Sequence, residues 1–159
     1  MYKTMKYESP VGVLTLAGEG ENLAGLWLEG QKYFGAKLEL AEEGNLLAFE
    51  AARNWLDRYF AGKRPAPSEL KLTPVGTEFQ RAVWKQLCEI PYGETITYGE
   101  LARRLQTSAR AVGSSVGRNP ISIIVPCHRI MGADGSLTGY AGGVERKRWL
   151  LEHEGIQIK

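Results

Sequence analysis

The spacing of apolar and polar positions changes character about halfway along the chain. Three short runs open it, Tyr2–Tyr7, Gly12–Ala17 and Leu23–Leu28, separated by Ser9-Pro10 and by Gly18-Glu19-Gly20-Glu21-Asn22; runs of that length between turn residues predict an antiparallel meander. Residues 46–60 place Phe49, Ala52, Leu56 and Tyr59 on one helical face, an amphipathic helix that Gly62, Pro65 and Pro67 end. The aromatics of this half read as core. Residues 62–74 hold three prolines and read as a linker. Beyond it the period is helical. Glu78–Cys88 carries Phe79, Val83, Trp84 and Leu87, Ile90-Pro91-Tyr92-Gly93 is a turn, and Tyr98–Leu105 is a second helix. After a tight Gln106-Thr107 connection, Ser108 can cap a third helix, Ala109–Gly117. The expected fold class is α+β: residues 1–74 a small antiparallel sheet with a helix, residues 75–159 a mostly helical domain.

Two helices joined by a short turn within twenty residues form a helix-turn-helix pattern. Charge maps onto it. Residues 1–73 hold nine Lys/Arg and ten Asp/Glu, residues 74–159 eleven and eight, and between Ile96 and Ile130 five arginines (103, 104, 110, 118, 129) meet one acid, Glu100. A basic centre of this kind suits a phosphate backbone, and it also suits a solvated helix. The third helix adds Ala109, Ala111, Gly113, Ser114 and Ser115, with Arg110 its one base-reading side chain. Small residues let a helix backbone approach a narrow minor groove, or let two helices pack closely inside the protein.

Ile124-Val125-Pro126-Cys127-His128-Arg129 carries the candidate chemistry. A thiol nucleophile works as its thiolate, which neighbouring cations favour. The apolar run Pro120–Val125 predicts a buried approach that sets Cys127 at the floor of a cleft, with Val125 pushed towards an extended backbone by Pro126. Adjacent side chains diverge, so His128 would reach the thiol through a water or a backbone turn. Cys88 is the other cysteine, there is no Cys-x-x-Cys pair, and both histidines, His128 and His153, fall late. A metal site is not expected, and a reducing compartment is. Hydrophobic residues at 43% and charged residues at 24% describe a globular chain. The absence of a long apolar run or a signal-like N-terminus leads to the expectation of a cytoplasmic protein without membrane attachment.

Pro126-Cys127-His128-Arg129, preceded by Arg118-Asn119-Pro120 and followed by Gly139-Tyr140-Ala141-Gly142-Gly143, resembles the O6-alkylguanine-DNA alkyltransferase family. Ala109-Arg110-Ala111-Val112-Gly113 and Trp149-Leu150-Leu151-Glu152-His153-Glu154-Gly155 match it too, in the family's order, so the resemblance spans residues 76–155. It implies a ribonuclease H-like first domain. It also implies that Cys127 accepts an alkyl group from guanine O6, that His128 takes the thiol proton through a water, and that Glu154 orients and charges that relay. The logic is that of a hydrolase triad turned on an alkyl carbon. Asn119 is implied to tie the helix-turn-helix to the reactive segment. Tyr98 is implied to displace the target phosphate and to protonate the departing guanine, and Arg110 to fill the hole left by base extrusion, which costs a few kcal/mol.

The same resemblance places Ala109, Ala111, Gly113, Ser114 and Arg118 on DNA, and Val125, Arg129, Gly139, Tyr140, Ala141 and Lys147 around the substrate pocket. Gly139–Gly143 would be its lid, with Tyr140 stacked on the base. Many relatives carry Ser at the position of Ala141, so here the backbone N–H would replace a hydroxyl contact to O6. Metal ligands found in the first domain of some relatives are absent from this one. No cofactor is implied. The partner is double-stranded DNA met through the minor groove, the protein a monomer that acts once per molecule. His153 is left with a structural role. Three other readings are weighed. An alkyltransferase-like damage sensor would lack the cysteine. A helix-turn-helix transcription factor would carry base-reading side chains on its third helix. A cysteine hydrolase would need neither a minor-groove helix nor an arginine plug.

Overall fold

Ser9 turns the chain back on itself: its hydroxyl donates to the Gly12 carbonyl at 2.6 Å and accepts from the Val11 N–H at 3.2 Å. In the computed structural model, which describes residues 2–35, 40–137 and 139–158, β1 (Tyr2–Ser9) therefore pairs antiparallel with β2 (Gly12–Glu19), Met5 opposite Leu16. β2 pairs in turn with β3 (Asn22–Leu28), Leu16 opposite Leu26. The meander follows from the sequence pattern, but the sheet is not purely antiparallel. β4 (Leu40–Glu43) lies parallel to β1 and gives the order β3-β2-β1-β4; four residues are too few to reveal a strand by alternation. α1 (Leu47–Phe60) covers the sheet with Phe49, Ala52, Trp55, Leu56 and Tyr59, all buried.

The outer edge of β3 would present unpaired backbone groups. Two later segments occupy it. Leu23 donates to the Lys71 carbonyl at 2.9 Å and accepts from Thr73 at 2.8 Å; Leu26 donates to the Pro120 carbonyl at 2.8 Å and accepts from Ser122 at 2.9 Å. Residues 62–74 are thus no free linker. They hold a 3-10 turn at Pro67–Glu69 and dock on the sheet, because a strand edge offers hydrogen bonds that composition does not disclose. The same edge pins the start of the segment leading to Cys127.

The second half builds as its caps dictate. Thr77 and Gln80 exchange side-chain bonds to each other's backbone N–H, a capping box, and open α2 (Glu78–Leu87). Thr97 caps α3 (Tyr98–Arg104), which follows the short β5 (Ile96–Thr97). Ser108 caps α4 (Ala109–Gly117) through the Ala111 N–H. Gln106, at φ 55, makes the tight α3–α4 connection. Trp84 Nε1 donates to the Ser115 carbonyl at 2.8 Å and joins α2 to α4. Phe79, expected on the buried face, is 39% exposed. β6 (Ile130–Met131) runs parallel to β5, and α5 (Val144–His153) closes the chain. Leu26 and Tyr59 of the first half and Trp84, Val112, Ile124 and Leu150 of the second share one hydrophobic core. Among the described residues no helix is long and apolar enough to cross a membrane, and no cluster of three or more His, Cys, Asp or Glu residues could hold a metal ion.

Candidate functional site

From Asn119 to Arg129 every residue is buried. A non-helical segment so enclosed needs internal partners for its backbone, and Asn119 supplies several. Its amide donates to the carbonyls of Val125 (2.9 Å) and Ile121 (3.3 Å), and its oxygen accepts from the Ile121 N–H at 3.0 Å. Asn119 follows α4 at once, so one side chain joins the helix-turn-helix to the reactive loop. The chain then tightens. Ile123 takes φ 70 between Ser122 and Ile124, whose N–H bonds Ser122 at 2.8 Å; for a β-branched residue this is a strained conformation. Pro126, at φ −82 and ψ 64, centres an inverse γ-turn closed by the Cys127 N–H on the Val125 carbonyl at 2.8 Å. A single 3-10 turn, Cys127–Arg129, follows.

That turn spreads three side chains in different directions. His128 is fully buried and its Nε2 lies 2.6 Å from Glu154 Oε2. Arg129 grips the same carboxylate with Nε (2.8 Å) and Nη2 (3.2 Å) and donates through Nη1 to the Ile90 carbonyl at 2.6 Å. The resemblance places Arg129 around the substrate pocket; in the structure its guanidinium is taken up by the Glu154 carboxylate and the Ile90 carbonyl. Glu154 also accepts from the Gly93 N–H at 3.1 Å and from the Tyr59 hydroxyl at 2.6 Å. Gly93 sits at φ 81, the conformation this turn requires of a glycine. Burial pushes the Glu154 carboxyl up, but the bonds and charges of His128 and Arg129 outweigh it and hold the group far below the usual carboxylate range. Burial lowers His128, against the pull of Glu154. An imidazole neutral at Nδ1 and donating from Nε2 to a carboxylate is a base with one free lone pair.

Around the sulfur the surroundings differ. Cys127 is 4% exposed. Burial raises its thiol, and the Asn119 amide, Lys147, its own N–H and the Tyr140 hydroxyl offset part of that rise. The cation facing the thiol is thus Lys147, from α5, in place of the sequence neighbour Arg129. Lys147 is fully buried, donates to the Ile130 carbonyl at 2.5 Å and is brought down to about 8 by burial. Among the described residues, two buried side-chain atoms make no hydrogen bond of ordinary geometry, His128 Nδ1 and the Tyr140 hydroxyl. Tyr140 is half-buried with this hydroxyl turned inward towards Cys127 and Ser122. Gly142 packs under it: a Cβ there would stand 2.2 Å from Leu28 Cδ1 and 2.9 Å from the Tyr140 ring, so this position requires glycine. Ala141 accepts from the Lys32 N–H at 3.1 Å. Gly139 is exposed, and Val125, besides meeting Asn119, borders a separate cavity of about 200 Å³ with Leu72, Trp84 and Cys88.

On the outer side of α4, Ala109, Arg110, Ser114 and Arg118 are exposed and Ala111 and Gly113 half-buried. Gly113 faces the half-buried Tyr98, whose ring carbons a Cβ would meet at 3.9 Å, ordinary contact. Arg118 lies over the Tyr33 ring, 4.3 Å from its centroid. His153 accepts a structural part: its Nε2 lies 2.7 Å from the Tyr59 carbonyl and its ring stacks on Trp149 at 4.9 Å. The residue that sequence reasoning passed over is Tyr59. It fits the apolar stripe of α1, and nothing in its local pattern signals a hydroxyl engaged 95 positions away.

Residues 78–156 match the family described as 6-O-methylguanine DNA methyltransferase, DNA binding domain, and residues 1–74 the one described as 6-O-methylguanine DNA methyltransferase, ribonuclease-like domain. A methylated-DNA–protein-cysteine methyltransferase of Haemophilus influenzae is 46% identical over 94% of this chain and 84% of its own length. One of Methanosarcina acetivorans is 47% identical over 94% and 96%. The crystal structure of Mycobacterium tuberculosis OGT in complex with DNA superposes with a TM-score of 0.84 at 47% identity, covering 96% of this chain and 91% of that one. The chain belongs to the methylated-DNA–protein-cysteine methyltransferase family.

Proposed function

We propose that this chain repairs O6-alkylguanine in double-stranded DNA by moving the alkyl group to Cys127, once per molecule. The observation that carries this reading is the orientation of His128: Nε2 is committed to Glu154 at 2.6 Å, and Nδ1 is the nitrogen without a partner. A buried thiol held high by desolvation does not ionise unaided. Its proton passes, through a bridging water, to Nδ1, and Glu154 stabilises the imidazolium that results. The S–C bond forms as the C–O6 bond breaks, guanine gains the proton that its leaving oxyanion needs from Tyr98, and the proton held by His128 returns through solvent to restore the tyrosine. The net change is thiol plus alkylguanine to thioether plus guanine, so no outside reactant is consumed. Lys147 beside the sulfur favours the thiolate. A thioether is a poor leaving group, and the reaction ends there.

α4 is the element we assign to DNA, laid in the minor groove. Ala109, Ala111, Gly113 and Ser114 keep its surface low, Arg118 meets phosphate, and exposed Arg110 enters the stack when the guanine flips out. Gly139, Tyr140 and Ala141 close over the flipped base. The protein works as a monomer in the cytoplasm, with no cofactor.

The test mixes the protein with an equimolar duplex holding one O6-methylguanine and follows intact and peptide mass. One methylene gained on the Cys127 peptide, with guanine restored, is the expected result. Cys127→Ala should bind the duplex and gain nothing. Lesion binding by the native protein without mass gain would favour a damage sensor with an inert cysteine. Arg110→Ala should slow transfer from duplex more than from free O6-benzylguanine. Equal slowing on both would remove the plug role.

A further inference from the structure

Glu154 is held from two halves of the molecule. Gly93, His128 and Arg129 belong to the second half, but the hydroxyl 2.6 Å from Oε2 comes from Tyr59 at the C-terminal end of α1. Oε2 is the oxygen that also meets His128 Nε2. Tyr59 is itself fixed from every side. It is fully buried, stacks on Trp55 at 5.6 Å, meets Phe60, Tyr92 and His153 edge-on or tilted within 5.9 Å, and its carbonyl engages His153. A side chain with one rotamer and one polar contact fixes the direction of the carboxylate it touches.

We propose that Tyr59 is a positioning residue for alkyl transfer: by donating to Glu154 Oε2 it sets both the direction of the carboxylate and the charge that the carboxylate presents to His128. The sheet-and-helix half is then a working part of the relay. This rests on the reading of Cys127 as alkyl acceptor with His128 as its base. The physical argument is competition for one oxygen. A phenol hydrogen bond draws charge off Oε2, and without it Glu154 would hold the imidazolium more firmly. The charged and titratable groups around the pair are Tyr59 from α1, Tyr92 from the turn before β5, Cys127 and Arg129 from the 3-10 turn, and Lys147 from α5. Tyr59→Phe leaves all the others in place.

The experiment measures single-turnover transfer from the O6-methylguanine duplex against pH for native protein and Tyr59→Phe, with duplex affinity and melting temperature as checks of the fold. The expected variant folds and binds DNA as the native protein does. It transfers roughly tenfold more slowly at neutral pH, the order that loss of one charge-assisted hydrogen bond allows, and its acid limb moves to higher pH, because His128 stays protonated further up the scale. A native rate and limb would overturn the proposal. So would a uniform slowing with the limb unmoved, which is what a merely structural tyrosine would give. Failure of the native protein to transfer at all would instead sink the alkyl-acceptor reading, a separate result.

Discussion

The two nitrogens of His128 look into opposite kinds of surroundings a few ångströms apart. Nε2 faces Glu154, whose two oxygens accept five hydrogen bonds, from Gly93, Tyr59, His128 and twice from Arg129. Nδ1 has no such partner; among the described residues, it and the Tyr140 hydroxyl, which lies near Cys127, are the buried side-chain atoms without a protein hydrogen bond of ordinary geometry. A fold that surrounds one carboxylate with five donors and leaves these two atoms without a protein partner treats the two ends of the imidazole differently. The saturated side fixes geometry. The unsaturated side leaves Nδ1 without a protein donor or acceptor, as the proposed water-bridged relay requires.

Glu154→Gln breaks the saturated side and should have the largest effect on stability. It leaves the Arg129 guanidinium, 5% exposed, opposite a neutral amide. Breaking a buried ion pair costs about 3–5 kcal/mol, which for a chain of this size lowers the melting temperature by roughly 6–20 °C. The loss depends on pH in a definite sense. A carboxyl held below its unfolded value of about 4.3 contributes stability that is complete above that pH and fades as pH falls below it. The carboxylate's share of the gap between native protein and Glu154→Gln should therefore be complete above about pH 4.3 and fade below about pH 4, read by thermal melts across a buffer series. His128, lowered by burial against the pull of Glu154, adds a loss in both proteins as pH drops through about 6.5, the greater in the variant, which lacks that pull. A variant melting within a degree or two of the native protein at pH 7 would mean that the network does not hold the site.

The same division decides what could be read from the sequence. The strands of the meander, α1, and the cap Ser108 are local matters of period and turn chemistry. Their residues carry the signal within a few positions. The resemblance placed Cys127, His128, Asn119 and Glu154 in a motif order, and the structure brings those four together. Direction was not legible. Arg129 sits two residues from Cys127, which made it look like a neighbour of the thiol, whereas the 3-10 turn sends it to Glu154 and leaves that place to Lys147, twenty positions on. Tyr59 was hidden for a different reason: a residue whose ring belongs to the core and whose hydroxyl belongs to the site satisfies the apolar pattern completely. The docking of residues 71–73 and 120–122 on one strand edge is likewise a long-range event, in which backbone groups of any sequence can serve.

Tyr140→Phe sharpens the comparison from the unsaturated side, with the smallest expected effect on stability. The hydroxyl it removes lies near Cys127 and Ser122 but makes no hydrogen bond of ordinary geometry to the protein, so little holding the fold is lost with it. The melting temperature should hold or rise by a degree or two. The ring that packs against Gly142 is kept. The change falls on the thiol. The hydroxyl is one of the groups that lower Cys127 against the rise caused by burial; without it the thiol moves further up and less thiolate is present at a given pH. Alkylation of Cys127 by iodoacetamide, followed against pH, should shift to higher pH, and transfer from O6-methylguanine should slow by a few-fold. A drop of several degrees in the melt would show that the hydroxyl holds structure. The thiol side would then be no less saturated than the carboxylate side, and the division between them would fall.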